Sequence, residues 1–182
     1  MNSVNLNEIE GVRLTKTFSA SDSRGLFIKV QPFKDFQNGL DSVANSINPK
    51  QGTIRGLHFQ IEPFAEEKIV TCIQGSIFDV VVDIRPQSKT FGKWAAFELS
   101  AANQIQAYLP KGIAHGFQTL QSNSVIQYCL SVSYSMESAY SIDPFGGLQI
   151  TWPINEFYIS EKDARGIPFE TAAHKYAQSL EK

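Results

Sequence analysis

The stretch Thr53-Ile54-Arg55-Gly56-Leu57-His58-Phe59-Gln60 decides the fold, because a β-favouring run here carries a fixed cation and an imidazole three residues apart. Side chains alternate along a strand, so Ile54, Gly56, His58 and Gln60 share one face while Thr53, Arg55, Leu57 and Phe59 share the other. Arg55 and His58 therefore face opposite ways on an ideal strand. They serve one site only if a bulge or twist at Gly56 re-aims one of them; otherwise they act in different pockets.

Outward from this stretch the chain repeats the same texture of short β-branched and aromatic runs broken by Gly, Pro, Asn and Asp, with thirteen Phe and six Tyr. On the N-terminal side, residues 11 to 19 alternate as a strand, and Asp22-Ser23-Arg24-Gly25 is a turn into a strand from Leu26 to Gln31 that Pro32 closes. Residues 33 to 41 read as a short helix or loop, and Val43 to Ile47 as a strand ending at the turn Asn48 to Gly52. On the C-terminal side, Ile61 to Glu67 is a loop. Lys68 to Ile73 and Ser76 to Ile84 then read as a hairpin about Gln74-Gly75, and the apolar second arm should be a central strand. Further strands are expected at Lys93 to Leu99, Gln104 to Leu109, Gly116 to Leu120 and Val125 to Val132, with helical character only from Ile159 to Lys182. Strands this short and regularly spaced favour a sandwich or barrel over an α/β fold.

The 182 residues suffice for one domain, 1–182, with a substantial core. A net charge of −2 without blocks of like charge gives no footprint for nucleic acid or for an anionic membrane. No apolar run approaches a membrane span, and no apolar leader follows Met1. Cys72 and Cys129 lie far apart in apolar surroundings and read as free thiols in a reducing compartment, which points to a cytoplasmic protein.

Two of the three histidines stand in patterned surroundings, His58 after Gly-Leu and His115 in Pro110-Lys111-Gly112-Ile113-Ala114-His115. A lone histidine on a strand is more often structural, but the pair together resembles the two motifs of the cupin superfamily, whose fold is a jelly roll or double-stranded β-helix. Metal-binding cupins carry His-x-His in the first motif. Here it reads His58-Phe59-Gln60, and a neutral Gln is a weak ligand, so the pocket is expected to work without metal or other cofactor. An imidazole base, a lysine and a phenol in such a pocket suit proton abstraction beside a carbonyl.

Asp22-x-Arg24-Gly25-x-Phe27, Arg55 to Gln60, Lys68 with Gln74-Gly75, Asp79 to Arg85, Pro110-x-Gly112-x-Ala114-His115-Gly116-Phe117, Trp152-Pro153 and Ser160-x-Lys162-Asp163 extend the resemblance over nearly the whole chain. Together they resemble the dTDP-4-dehydrorhamnose 3,5-epimerase family. The resemblance implies a mainly β, cupin-type jelly roll with a short C-terminal helical segment. It also implies a homodimer acting on a nucleotide-linked 4-keto-6-deoxy sugar without cofactor. Carried over by motif, His58 resembles the base, Asp163 its partner, Tyr128 the acid and Lys68 the cation beside the 4-keto oxygen. Arg55 and Arg24 resemble contacts to the diphosphate or sugar, Arg24 from the neighbouring subunit, and His115 a second histidine in the pocket. Phe27, Lys29, Asn45 and Gln60 fall in the motifs that resemble substrate contacts.

The chain departs from the family pattern where Lys29 replaces an acid, Val43 replaces Gln, Cys129 replaces the Lys after the tyrosine, and the segment from Tyr134 to Pro144 is short. An acid-to-base change reverses the favoured sign of a partner group, so these positions bear on which nucleotide and sugar are taken and on whether one carbon or two are inverted, by 3,5- or single-carbon epimerisation. Three alternatives stay open: a 3,4-ketoisomerase of the same fold, a non-catalytic sugar-nucleotide-binding cupin, and a metal-dependent oxygenase using His58 and His115.

Overall fold

The structure, a computed structural model, describes residues 9–30 and 39–181. Two antiparallel sheets face one another as a jelly roll. The first strands are β1 (Arg13–Lys16), β2 (Phe18–Asp22), β3 (Gly25–Lys29), β4 (Ser42–Asn48) and β5 (Thr53–Gln60). They are followed by β6 (Lys68–Gln74), β7 (Ser76–Asp83), β8 (Trp94–Ser100), β9 (Ile105–Leu109), β10 (Ile113–Thr119) and β11 (Ser124–Leu130). Two short strands, β12 (Ala139–Ser141) and β13 (Tyr158–Ile159), precede helices α1 (Glu161–Ala164) and α2 (Phe169–Ser179).

One sheet has the order β1-β9-β6-β11-β4; the other runs β12-β5-β10-β7-β8, with β13 added in parallel on β5. Alternation along each strand builds two cores. Val70, Cys72, Ile77, Val81, Leu99, Leu109, Phe117 and Ile126 point between the sheets. Leu57, Phe59, Val80, Val82 and Ala114 point out of the second sheet and are covered by Ala172 and Tyr176 of α2. Burying a side chain such as Val81 or Leu99, both fully inaccessible, is worth about 1.5–3 kcal/mol.

The hairpin expected about Gln74-Gly75 does not form. β6 bonds to β9 and β11 in one sheet, whereas β7 bonds to β10 and β8 in the other. Gly75, at φ +75° and packed against Ser124, turns the chain from one sheet into the next, so both strands have neighbours on either side. The strand expected over residues 11 to 19 is split at Thr17, whose N–H and hydroxyl both donate to the Gln104 carbonyl. Beyond that pin, β2 and β3 leave the barrel as a separate ribbon. The strand expected from Gly116 begins earlier, at Ile113, so His115 lies within it. The helix or loop expected for 33 to 41 falls mostly outside the described residues. No helix among the described residues is long and apolar enough to cross a membrane.

Candidate active site

Arg55 and His58 are brought to one face of β5 at Gly56. His58 pairs with His115 and Arg55 with Phe117, so two residues of β5, Gly56 and Leu57, oppose the single Gly116 of β10. This two-against-one count is a β-bulge. Cross-strand partners point to the same face, and His115 and Phe117 both face the space between the sheets, so Arg55 and His58 do as well. Leu57 turns outward into the second core. The bulge demands glycine on both strands: a Cβ on Gly56 would lie 2.6 Å from Gly116 Cα, and one on Gly116 would lie 2.6 Å from the Arg55 carbonyl oxygen. Gly56 also sits at φ +116°.

His58 Nε2 lies 2.7 Å from Asp163 Oδ1. The pair is brought together from opposite ends of the chain. β13 docks on Thr53 and Ile54, Ser160 caps α1 by accepting from the Asp163 N–H, and the first turn of α1 then places the carboxylate behind the imidazole. Asp163 also accepts from the Gly56 N–H at 3.3 Å and the Ser141 hydroxyl at 3.3 Å. Burial pushes its carboxyl up, but the His58 bond and charge, the Gly56 N–H and the Ser141 hydroxyl outweigh burial and hold it below its ordinary range. In the neutral tautomer that donates Nε2–H to this carboxylate the Nδ1 lone pair is free, and the side chain is 45% exposed, enough for a ligand to reach it.

A second pair lies deeper. His115 Nε2 is 2.7 Å from Asp79 Oδ1, with both side chains almost inaccessible. Burial pushes the Asp79 carboxyl up, opposed by His115 and by the charge of Lys68. Tyr128 approaches from the facing sheet, its ring edge-on to His115 with centroids 6.0 Å apart. Burial raises its hydroxyl above the ordinary phenol range, the Asp79 charge adds to this, and the Arg55 cation opposes it. Lys68, at inward parity with Val70 and Cys72 on β6, is buried and bonded to Glu66 at 2.9 Å. Arg55 Nε donates to Asn48 Oδ1 at 2.8 Å, and Asn48 is in turn anchored to Ser46 and to the Ser124 carbonyl.

His58, Asp163, Lys68, Tyr128, Arg55 and His115 thus converge on one interior. Gln60 faces the same side, but its amide is engaged by the carbonyls of Phe64 and Ser133 and the N–H of Ser135. Asn45 does not join them. It pairs with Gln127, one position out of phase with inward Ile126 and Tyr128, and so faces out of the sheet. Arg24, Phe27 and Lys29 lie exposed on the β2–β3 ribbon, where Arg24 pairs with Asp22 at 2.6 Å. Sequence reasoning left Asp79, Ser141, Asn48 and Glu66 without roles. Asp79 had a signal, since a lone carboxylate at inward parity inside the apolar run Ile77 to Val82 must have a buried partner. Among the described residues no three His, Cys, Asp or Glu side chains form a metal-binding group.

A carboxylate-bound imidazole on one wall of a jelly roll, with a buried lysine and a phenol on the other, is a cupin-type site equipped for acid–base chemistry. Residues 7–171 match the family model described as dTDP-4-dehydrorhamnose 3,5-epimerase. A dTDP-4-dehydrorhamnose 3,5-epimerase of Sinorhizobium fredii is 41% identical over 165 residues, covering 86% of this chain and 84% of the relative. Among solved structures, an epimerase of Mycobacterium tuberculosis superposes with TM-score 0.87 at 32% identity, over 100% of this chain and 97% of that one. A 3′-monoepimerase of Streptomyces bikiniensis in complex with dTDP-quinovose gives 0.84 at 26% identity, over 95% and 93%. The chain belongs to the dTDP-4-dehydrorhamnose 3,5-epimerase family. It is an isomerase, an epimerase of nucleotide-linked 4-keto-6-deoxy sugars.

Proposed function

We propose that the enzyme inverts the carbons flanking the C4 ketone of a dTDP-linked 4-keto-6-deoxyhexose, with His58 as base and Tyr128 as acid. The observation that carries this is the placement of the two groups on facing sheets, since inversion requires a proton to leave one face of a carbon and return to the other. His58 Nδ1 takes the proton from the carbon next to the ketone while Asp163 holds the ring and balances the imidazolium. The C–H electrons move into the carbonyl, and Lys68 donates to the enolate oxygen that forms. Tyr128 then returns a proton from the opposite face. The Arg55 charge, which opposes the burial of that hydroxyl, eases its loss. Exchange with solvent resets both groups.

Arg55 serves the diphosphate at the mouth. The ribbon carrying Arg24, Phe27 and Lys29 serves the partner site in a homodimer: it stands apart from both sheets, with Phe18, Leu26 and Phe27 each more than half exposed. Lys29, a cation at the end of β3, then favours an anionic portion of the nucleotide. The two unbridged cysteines suit a reducing cytoplasm. Incubating the enzyme with dTDP-linked 4-keto-6-deoxyglucose in deuterated water and following the sugar by NMR tests the reaction. Deuterium should enter at C3 and C5 with inversion. Label with inversion at one carbon alone would narrow the reading to a single-carbon epimerase, and label at neither carbon would overturn the epimerase reading for this substrate.

A further inference from the structure

The buried lysine of this site has two anionic neighbours and bonds to only one of them. Lys68 Nζ is 2.9 Å from Glu66 Oε1, with side-chain exposures of 9% and 11%. Asp79, fully buried and under the influence of the Lys68 charge, keeps Oδ2 without any hydrogen-bond partner, although its other oxygen holds His115. A buried carboxylate oxygen without a donor is costly, and a lysine ammonium on four rotatable bonds would satisfy it. The ammonium is bonded to Glu66 instead. Ala65 before it is buried in the outer core. Glu67 after it is locked to Ser131 by two bonds, N–H to hydroxyl at 2.8 Å and carbonyl from N–H at 3.2 Å. The backbone beside Glu66 is thus held, as is that of Lys68 by its pairing with Leu109 and Leu130, so the two side chains alone set where the ammonium lies.

We propose that Glu66 is a positioning residue that holds the Lys68 ammonium off Asp79, leaving Lys68 aimed into the pocket and Asp79 committed to His115. This rests on the reading of Lys68 as the group that meets the enolate oxygen. Without the Glu66 charge, Lys68 swings onto Asp79 Oδ2. The cation is then withdrawn from the substrate oxygen, and the Asp79 charge is divided between Lys68 and His115.

The test compares Glu66→Gln, Glu66→Asp, Lys68→Met and the double variant Glu66→Gln/Lys68→Met. Solvent deuterium exchange into the sugar is measured alongside the ring nitrogen NMR signals of His115, resolvable because the chain has only three histidines. Glu66→Gln should lower kcat about 10-fold or more while KM changes less than about 3-fold, on the scale of a displaced charge-stabilising group. It should also shift the His115 signals. Glu66→Asp, which keeps the charge, should recover most of kcat, and in the Lys68→Met background the Glu66→Gln change should have no further effect.

Wild-type kcat in Glu66→Gln, an unmoved His115 signal, or an equal loss in both backgrounds would overturn the proposal. If Glu66→Gln does not fold, Glu66→Asp decides by itself, since a kcat as low as that of Lys68→Met would contradict a charge-based tether. Should Lys68→Met exchange at the wild-type rate, the role of Lys68 falls instead, so the two failures are told apart.

Discussion

The two histidine–aspartate pairs sit side by side on neighbouring strands, share the same 2.7 Å geometry, and are chemically unlike. Asp163 is reached by His58, the Gly56 N–H and the Ser141 hydroxyl, and these donors hold it ionised. Asp79 has His115 alone, one orphaned oxygen and a carboxyl pushed up by burial. The difference bears on which of the two dyads a ligand can reach. The imidazole beside the carboxylate with three donors is 45% exposed and within reach of a ligand, whereas the imidazole beside the carboxylate with one donor is 4% exposed and closed to it.

The comparison breaks most readily at the bulge. Gly56→Ala places a Cβ against the Gly116 backbone and the His115 carbonyl at 2.6–2.7 Å. It should disturb both dyads at once and lower exchange into the sugar by at least about 10³-fold, read by NMR in deuterated water. Asp163→Asn should cost about 10²-fold or more in kcat with the fold intact, because the neutral amide no longer balances an imidazolium. Asp79→Asn, which leaves the His58 pair untouched, should cost less.

Stability against pH separates the pairs by sign. A carboxyl held low in the fold, as Asp163 is, contributes stability that is present above the ordinary carboxylate range near 4 and lost as pH falls through its folded value. A carboxyl held high, as Asp79 is, contributes stability at low pH that is lost as pH rises through the interval above 4. Denaturant titrations between pH 3 and 8 should therefore show Asp163→Asn and Asp79→Asn changing the pH slope in opposite directions; a common direction would contradict the contrast. The smallest effect is expected at Ser141→Ala, which removes one of three donors to Asp163 and should slow exchange by about 3-fold to 10-fold.

The sheet order lies beyond local sequence signals, although the strands themselves do not. Alternation placed most strands within a few residues, because half-buried strands write their burial into a two-residue period. The Gln74-Gly75 turn was misread because a glycine corner between two sheets and a hairpin loop use the same residues. Only the partners of β6 and β7 distinguish them. At the site, the His58, Lys68 and Tyr128 motifs were legible through family resemblance, while strand parity left open whether a bulge or twist at Gly56 joins Arg55 and His58 in one site or the two act in different pockets. Ser141 and Glu66 were not legible, since each acts through one long-range or loop contact that leaves no periodic trace. The face that Asn45 takes is likewise set by the β4–β11 register, which a motif position does not reveal.

The central claim is that base and acid stand on opposite walls of the pocket. It is tested most directly by comparing Tyr128→Phe with His58→Asn in deuterated water, following label and configuration at the same sugar carbon. Tyr128→Phe should still exchange the proton but return it to the original face, while His58→Asn should neither exchange nor invert. Equal loss of exchange in both variants, or inversion at the wild-type rate without Tyr128, would contradict it.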